Sequence, residues 1–136
     1  MANFVKLNGY DVEDTIAREK INNMGNYSTN EVNTGQTWID NKPIYRKVFV
    51  KTDFKDVTHS YAHDIENLDQ FIKIEGMFYT PTESVGNNVY QFPFDSTNGE
   101  GLYLTANNST FSIVNKGEHD YTGITCIITL YYTKTN

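Results

Sequence analysis

Residues 122–134, TGITCIITLYYTK, limit what this chain can fold into more than any other stretch. Ile124, Cys126, Ile128 and Leu130 share one side of a period-2 strand, and the other side also carries apolar groups. A strand with apolar side chains on both faces belongs in the interior of a sheet, so a central strand is expected here. Residues 70–80, QFIKIEGMFYT, alternate cleanly, with Phe71, Lys73, Glu75, Met77 and Tyr79 opposing Ile72, Ile74, Gly76 and Phe78, and predict a second long strand.

The remaining elements follow from turn chemistry. Residues 34–49, TGQTWIDNKPIYRKVF, hold two runs of β-formers around Asp40, Asn41, Lys42 and Pro43. Asn tolerates positive φ and Pro has its φ already set, so this reads as a β-hairpin or corner. Residues 101–105 and 110–114 flank Ala106-Asn107-Asn108-Ser109 and read as a tight hairpin. Residues 89–92 read as a short strand, and residues 81–88 and 93–101 as loops. Residues 24–35 read as a polar connector, and residues 52–69 as mixed, with one helical turn over 65–68.

The amino terminus differs in kind. Residues 3–7 read as a short strand ending in Asn8-Gly9, after which Asp11 caps a helix over residues 12–23. Val12, Ile16, Ala17 and Ile21 make only a narrow apolar stripe, which requires a partner surface. Residues 1–25 are therefore expected to be a docking and oligomerisation arm, with Val12, Ile16 and Ile21 as its packing residues, and residues 26–136 a distal domain, the alternative being that the helix packs on its own domain. With about six to eight strands and no strand-helix alternation, the expected fold is all-β, an antiparallel β-sandwich or jelly-roll-like domain behind a short α-helical arm.

Composition narrows the function. Ten Tyr and eight Phe among 136 residues suit wide pleated surfaces. Eleven Lys and Arg against seventeen Asp and Glu give a net charge of −6, which offers no positive field to gather phosphates, so nucleic acid is not an expected partner. Cys126 is the single cysteine, which excludes an intrachain disulfide and a thiolate zinc cluster, and its apolar run points to a buried thiol. The start, MANFVKLNGYD, lacks the apolar core of a signal peptide, and no window approaches the roughly eighteen apolar residues of a membrane span.

Candidate chemistry is sparse. His59 and His63 stand four apart beside Asp64, a spacing that on a helix would suit a metal, but the HExxH glutamate is missing and a third ligand must come from afar. Asp53, Asp56, Asp64, Glu66 and Asp69 supply carboxylates without a defined pair, and no G-x-S-x-G elbow, P-loop or Rossmann fingerprint is present. No catalytic residue, metal or cofactor is therefore assigned. The aromatic residues Tyr79, Tyr90, Phe92, Phe94 and Tyr103, in or beside the two long loops, are the candidate surface contacts, although such rings also fill sheet cores.

The hairpin stretch, with Tyr27-Ser28-Thr29-Asn30-Glu31 before it, resembles a segment of bacteriophage virion fibre and appendage proteins. That segment has the form Tyr-Ser-Thr-x-Glu, a spacer, then Gly-x-Thr-Trp-Ile-Asp-Gly-Lys-Pro-Ile-Tyr-Arg-Lys. Gly35, Thr37, Trp38, Ile39, Asp40, Lys42, Pro43, Ile44, Tyr45, Arg46 and Lys47 match, while Asn41 stands where Gly is usual. Residues 72–76, residues 128–135 and the start at Leu7-Asn8-Gly9-Tyr10-Asp11-Val12 are similar to further pieces of the same group.

The resemblance implies a non-enzymatic virion structural protein with a β-rich, often homotrimeric distal domain: a head-fibre, decoration or tail-appendage subunit. It implies other capsid or tail proteins as partners through the arm, and adhesion to host cell-surface polysaccharide. Trp38, Tyr45 and Arg46 are expected to serve packing and assembly. A free carbohydrate-binding module and a small glycan hydrolase are the alternatives from other classes.

Overall fold

The computed structural model describes residues 25–80, 88–95 and 99–135. The strand expected over residues 3–7 and the helix over 12–23, with Val12, Ile16 and Ile21, lie outside the described residues, as does most of the loop at 81–88. Among the described residues there are nine strands and no helix: β1 (Val32–Thr37), β2 (Pro43–Lys51), β3 (His59–Ala62), β4 (Leu68–Thr80), β5 (Asn88–Gln91), β6 (Phe94–Asp95), β7 (Gly101–Ala106), β8 (Thr110–Lys116) and β9 (Thr125–Lys134). They form two antiparallel sheets, one in the order β1-β2-β9-β4-β5 and the other β3-β8-β7-β6.

The strand from the apolar run, β9, is the middle member of the five-stranded sheet, flanked by β2 and β4. Its position follows from its side chains. Cys126, Ile128, Leu130 and Tyr132 are fully buried in the core, while Ile127, Thr129 and Tyr131 alternate onto the other face. The core joins both sheets. Phe78 from β4 and those four β9 residues meet Tyr61, Leu102, Phe111 and Ile113 of the four-stranded sheet, with Phe54, Ile65, Tyr121 and Ile124 closing the ends.

The hairpin of β1 and β2 turns where the sequence predicts it. Asn41 holds φ at 69°, its N–H donates to the Trp38 carbonyl (2.9 Å), and the Trp38 N–H donates to the Lys42 carbonyl (2.9 Å). Asp40 Oδ1 accepts from the Lys42 N–H at 3.1 Å, the short-range bond expected of Asp in a turn. The β7–β8 hairpin is closed in the same way by Asn107, whose Oδ1 accepts from the N–H groups of Ser109 (2.9 Å) and Thr110 (2.8 Å).

Three stretches differ from expectation, the first being residues 93–101, expected as a loop, in which Phe94–Asp95 form β6 and pair with β7. Residues 24–35 are not connector throughout, because β1 begins at Val32. Residues 65–68 do not form a helical turn. Asp64 (φ 55°) and Asn67 (φ 57°) adopt left-handed backbone, which interrupts a right-handed helix and redirects the chain from β3 into β4. β3 itself lacks a continuous apolar run, since Tyr61 is its one buried residue.

Candidate ligand-binding face

The face of the five-stranded sheet turned away from the core is built in rows. Strand register sets Arg46, Tyr131 and Lys73 side by side across β2, β9 and β4. The next row is Val48, Thr129 and Glu75, and the third is Val50, Ile127 and Met77, extended by Gln91 on β5. Cationic, hydroxyl, acidic and apolar groups thus follow one another along a face whose middle strand, β9, is hydrogen-bonded on both edges.

Tyr27 lies over this face. Its ring sits 4.0 Å from the Arg46 guanidinium carbon, its hydroxyl lies 3.2 Å from that of Tyr131, and the residue remains 63% exposed. Arg46 is buried and also donates to the Asn26 carbonyl, so the cation holds the entering chain as well as the ring. The Tyr131 hydroxyl donates to Glu75 Oε1 (3.0 Å), and Glu75 Oε2 pairs with Lys73 (3.2 Å). Burial, then the hydrogen bonds to Tyr27 and Glu75, raise the Tyr131 phenol well above its ordinary range, so it stays a protonated donor at neutral pH.

Two grooves of about 400 Å³ and 410 Å³ flank Tyr27 and share it as a wall. The first is lined by Thr34, Gln36, Ile44, Arg46, Ile72, Lys73 and Tyr131, and the second by Glu75, Gly76, Met77, Gln91, Phe92, Ile127 and Thr129. Glu75 is the one carboxylate among these lining residues. Hydrogen-bonding amides, hydroxyls and a charge beside apolar and aromatic carbon are the furnishings of a site for a small polar ligand.

The aromatic residues expected as surface contacts are divided by the structure. Tyr90, Phe92 and Phe94 gather around buried Phe78 with ring centroids 5.2, 5.3 and 5.5 Å away, and Phe92 and Phe94 pack on the core. Tyr103 is half-buried, and its hydroxyl closes over Gly101, where an added Cβ would meet it at 2.9 Å. Tyr79 alternates onto the same face as Glu75 and Met77. The assembly candidates are equally distinct. Trp38 is half-buried at the hairpin turn, Tyr45 stacks on Tyr132 at 6.2 Å, and Arg46 belongs to the Tyr27 site. Lys47 donates to a backbone carbonyl, that of His63 (2.8 Å).

His63 is a buried structural residue. Its Nδ1 accepts from the Ile65 N–H (3.1 Å), which leaves Nε2 to carry the proton and donate to the Asn107 carbonyl (2.9 Å). His59 is exposed and stacks on Tyr61 at 4.3 Å. Among the described residues no three His, Cys, Asp or Glu side chains gather as a metal site. Asp53 accepts from Tyr61, and Asp69 from Lys42 and Thr133, so both acids are spent on structure. Cys126 is fully buried, and burial pushes its thiol up to about 12, as an inert core thiol requires.

Sequence reasoning passed over Tyr27, Lys73, Glu75, Gln91 and Tyr131 as a group. The signal was present for part of it: in an alternating strand, the residues opposite the core set, here Lys73, Glu75, Met77 and Tyr79, define the second face. No family model, curated protein or solved structure matches the chain.

Proposed function

We propose that this chain is a bacteriophage virion structural protein, a short head-fibre, decoration or tail-appendage subunit. In this reading its two antiparallel sheets form a β-sandwich or jelly-roll-like distal domain, residues 1–25 dock it to capsid or tail proteins, and it self-associates as a homotrimer. The observation that carries the reading is how the matching hairpin segment is used. Its Asp40 to Pro43 turn, its strand pairing and its Tyr45 and Arg46 contacts serve architecture, as in a module shaped by assembly and not by catalysis. A hydrolase reading gains no support from the grooves, where Glu75 lacks the second carboxylate that glycoside hydrolysis ordinarily employs.

Mass spectrometry of purified particles encoding the chain is expected to detect it as a stoichiometric component. Size-exclusion chromatography with light scattering is expected to give about three times the 15.6 kDa chain mass, and less after deletion of residues 1–25. A strict monomer absent from particles overturns the proposal and leaves a free carbohydrate-binding module as the better reading, favoured by the exposed Tyr27 between its two grooves.

A further inference from the structure

The geometry points to a binding site for a short N-acetylhexosamine-containing oligosaccharide, running through both grooves across the ring of Tyr27. The inference rests on the outer face alone and goes beyond the virion-subunit reading by naming where a glycan binds and which kind.

Tyr27 is a prepared platform. Arg46 stacked on the ring and the hydroxyl contact with Tyr131 fix its orientation, yet nearly two-thirds of the residue stays open to solvent. An aromatic ring held in place without being buried offers its free face to the C–H side of a pyranose at little ordering cost. The flanking groups fit the rest of a sugar. Lys73 and Glu75, whose side chains are 57% and 43% exposed, present a donor and an acceptor to ring hydroxyls, and Gln36 extends the polar wall of the first groove.

The third row names the substituent. Met77 and Ile127 place apolar surface beside the Gln91 amide, and Met77 is 37% exposed although its neighbours pair it into a four-strand row. A methyl group against Met77 and Ile127 with an amide bonded to Gln91 is the signature of an acetamido substituent, whereas a plain hydroxyl would leave that apolar surface uncovered. A competing ligand fits less well. A peptide added as a strand needs an open backbone edge, and beneath the second groove β9 is paired on both sides, β4 is paired with β5 from Met77 to Thr80, and the Gly76 carbonyl is taken by the Phe92 N–H.

The test titrates the full chain, ¹⁵N-labelled, with the N-acetylglucosamine tetramer and, separately, with maltotetraose. The acetylated tetramer is expected to bind with a Kd of about 1 mM, shifting the amides of β4, β5 and β9, with maltotetraose at least about tenfold weaker. Tyr27→Ala is expected to weaken the acetylated ligand by about tenfold or more, and Gln91→Ala to erase most of the preference over maltotetraose. The amide spectrum of each variant reports whether the fold is intact. No shifts up to about 10 mM tetramer, or native affinity in a folded Tyr27→Ala chain, overturns the site. Equal binding of both sugars overturns the acetamido assignment. Because particle association is read by mass spectrometry and sugar binding by titration, a chain found in virions that ignores the tetramer refutes this inference alone.

Discussion

At residue scale, Asn41 shows how one position can be substituted without changing its role. Its φ of 69° lies in the left-handed region, where Asn is tolerated and Gly is unstrained. Asn41→Gly is expected to hold stability within a few tenths of a kcal/mol, while Asn41→Ala should cost about 1 kcal/mol in urea unfolding. An alanine variant as stable as the native chain would remove the argument that this turn selects its residue. Asp69 is a second case. The hydrogen bond from Lys42, and next that from Thr133, hold its carboxyl below the usual range, and Asp120 is lowered likewise by the side chain and then the backbone of Thr122. A folded pKa below the unfolded one gives stability that is complete above about pH 4 and is lost as pH falls through the folded value. Lys42, raised chiefly by the Asp69 hydrogen bond, contributes in the opposite sense, its share being lost as pH rises through the raised value. Asp69→Asn is therefore expected to flatten, without abolishing, the acid limb of the urea midpoint plotted against pH. An unchanged limb would mean the ion pair adds nothing.

At the scale of elements, a close backbone approach lies where β4 pairs with β9 and the chain leaves β5. A Cβ at Gly76 would stand 2.9 Å from the Ile127 carbonyl oxygen, 3.0 Å from Leu104 and 3.1 Å from Phe92. The first of these is backbone and cannot swing aside. Gly76→Ala is thus expected to destabilise by about 1–3 kcal/mol, through displacement of β4 from β9 and not through lost burial. The measurement is the urea midpoint together with amide shifts along β4 and β9. A variant of native stability with unshifted amides would show that the two strands have slack there. The same strands carry the outer-face rows, so the substitution is also expected to disturb the second groove, whose walls include Gly76, Phe92 and Ile127.

For the whole molecule, the two sheets share one core, and Phe111 stands at their junction. It is buried on β8, and its ring meets Phe49 of β2 at 4.6 Å and Tyr61 of β3 at 5.4 Å. Phe111→Ala should cost about 3–5 kcal/mol. The native chain should unfold in one transition, with Trp38 fluorescence and far-ultraviolet circular dichroism changing together. Separate transitions for the two signals would mean that the sheets are stabilised independently.

The sequence alone determined the strands whose residues enforce a period of two or an apolar character on both faces. β9 is central because the apolar groups on both of its faces must be covered, β4 alternates visibly, and the turns at Asn41 and Asn107 follow from what those side chains and backbones tolerate. β3 and the start of β1 were not legible, since each has a single buried residue and draws its order from the strand it pairs with. The candidate site was less legible still. Tyr27 and Tyr131 are 104 residues apart, and Met77, Ile127 and Gln91 come from three strands. Local propensity carries no register between distant strands; only the hydrogen-bonded sheet, fixed by the buried alternate residues, decides which outward-facing side chains become neighbours.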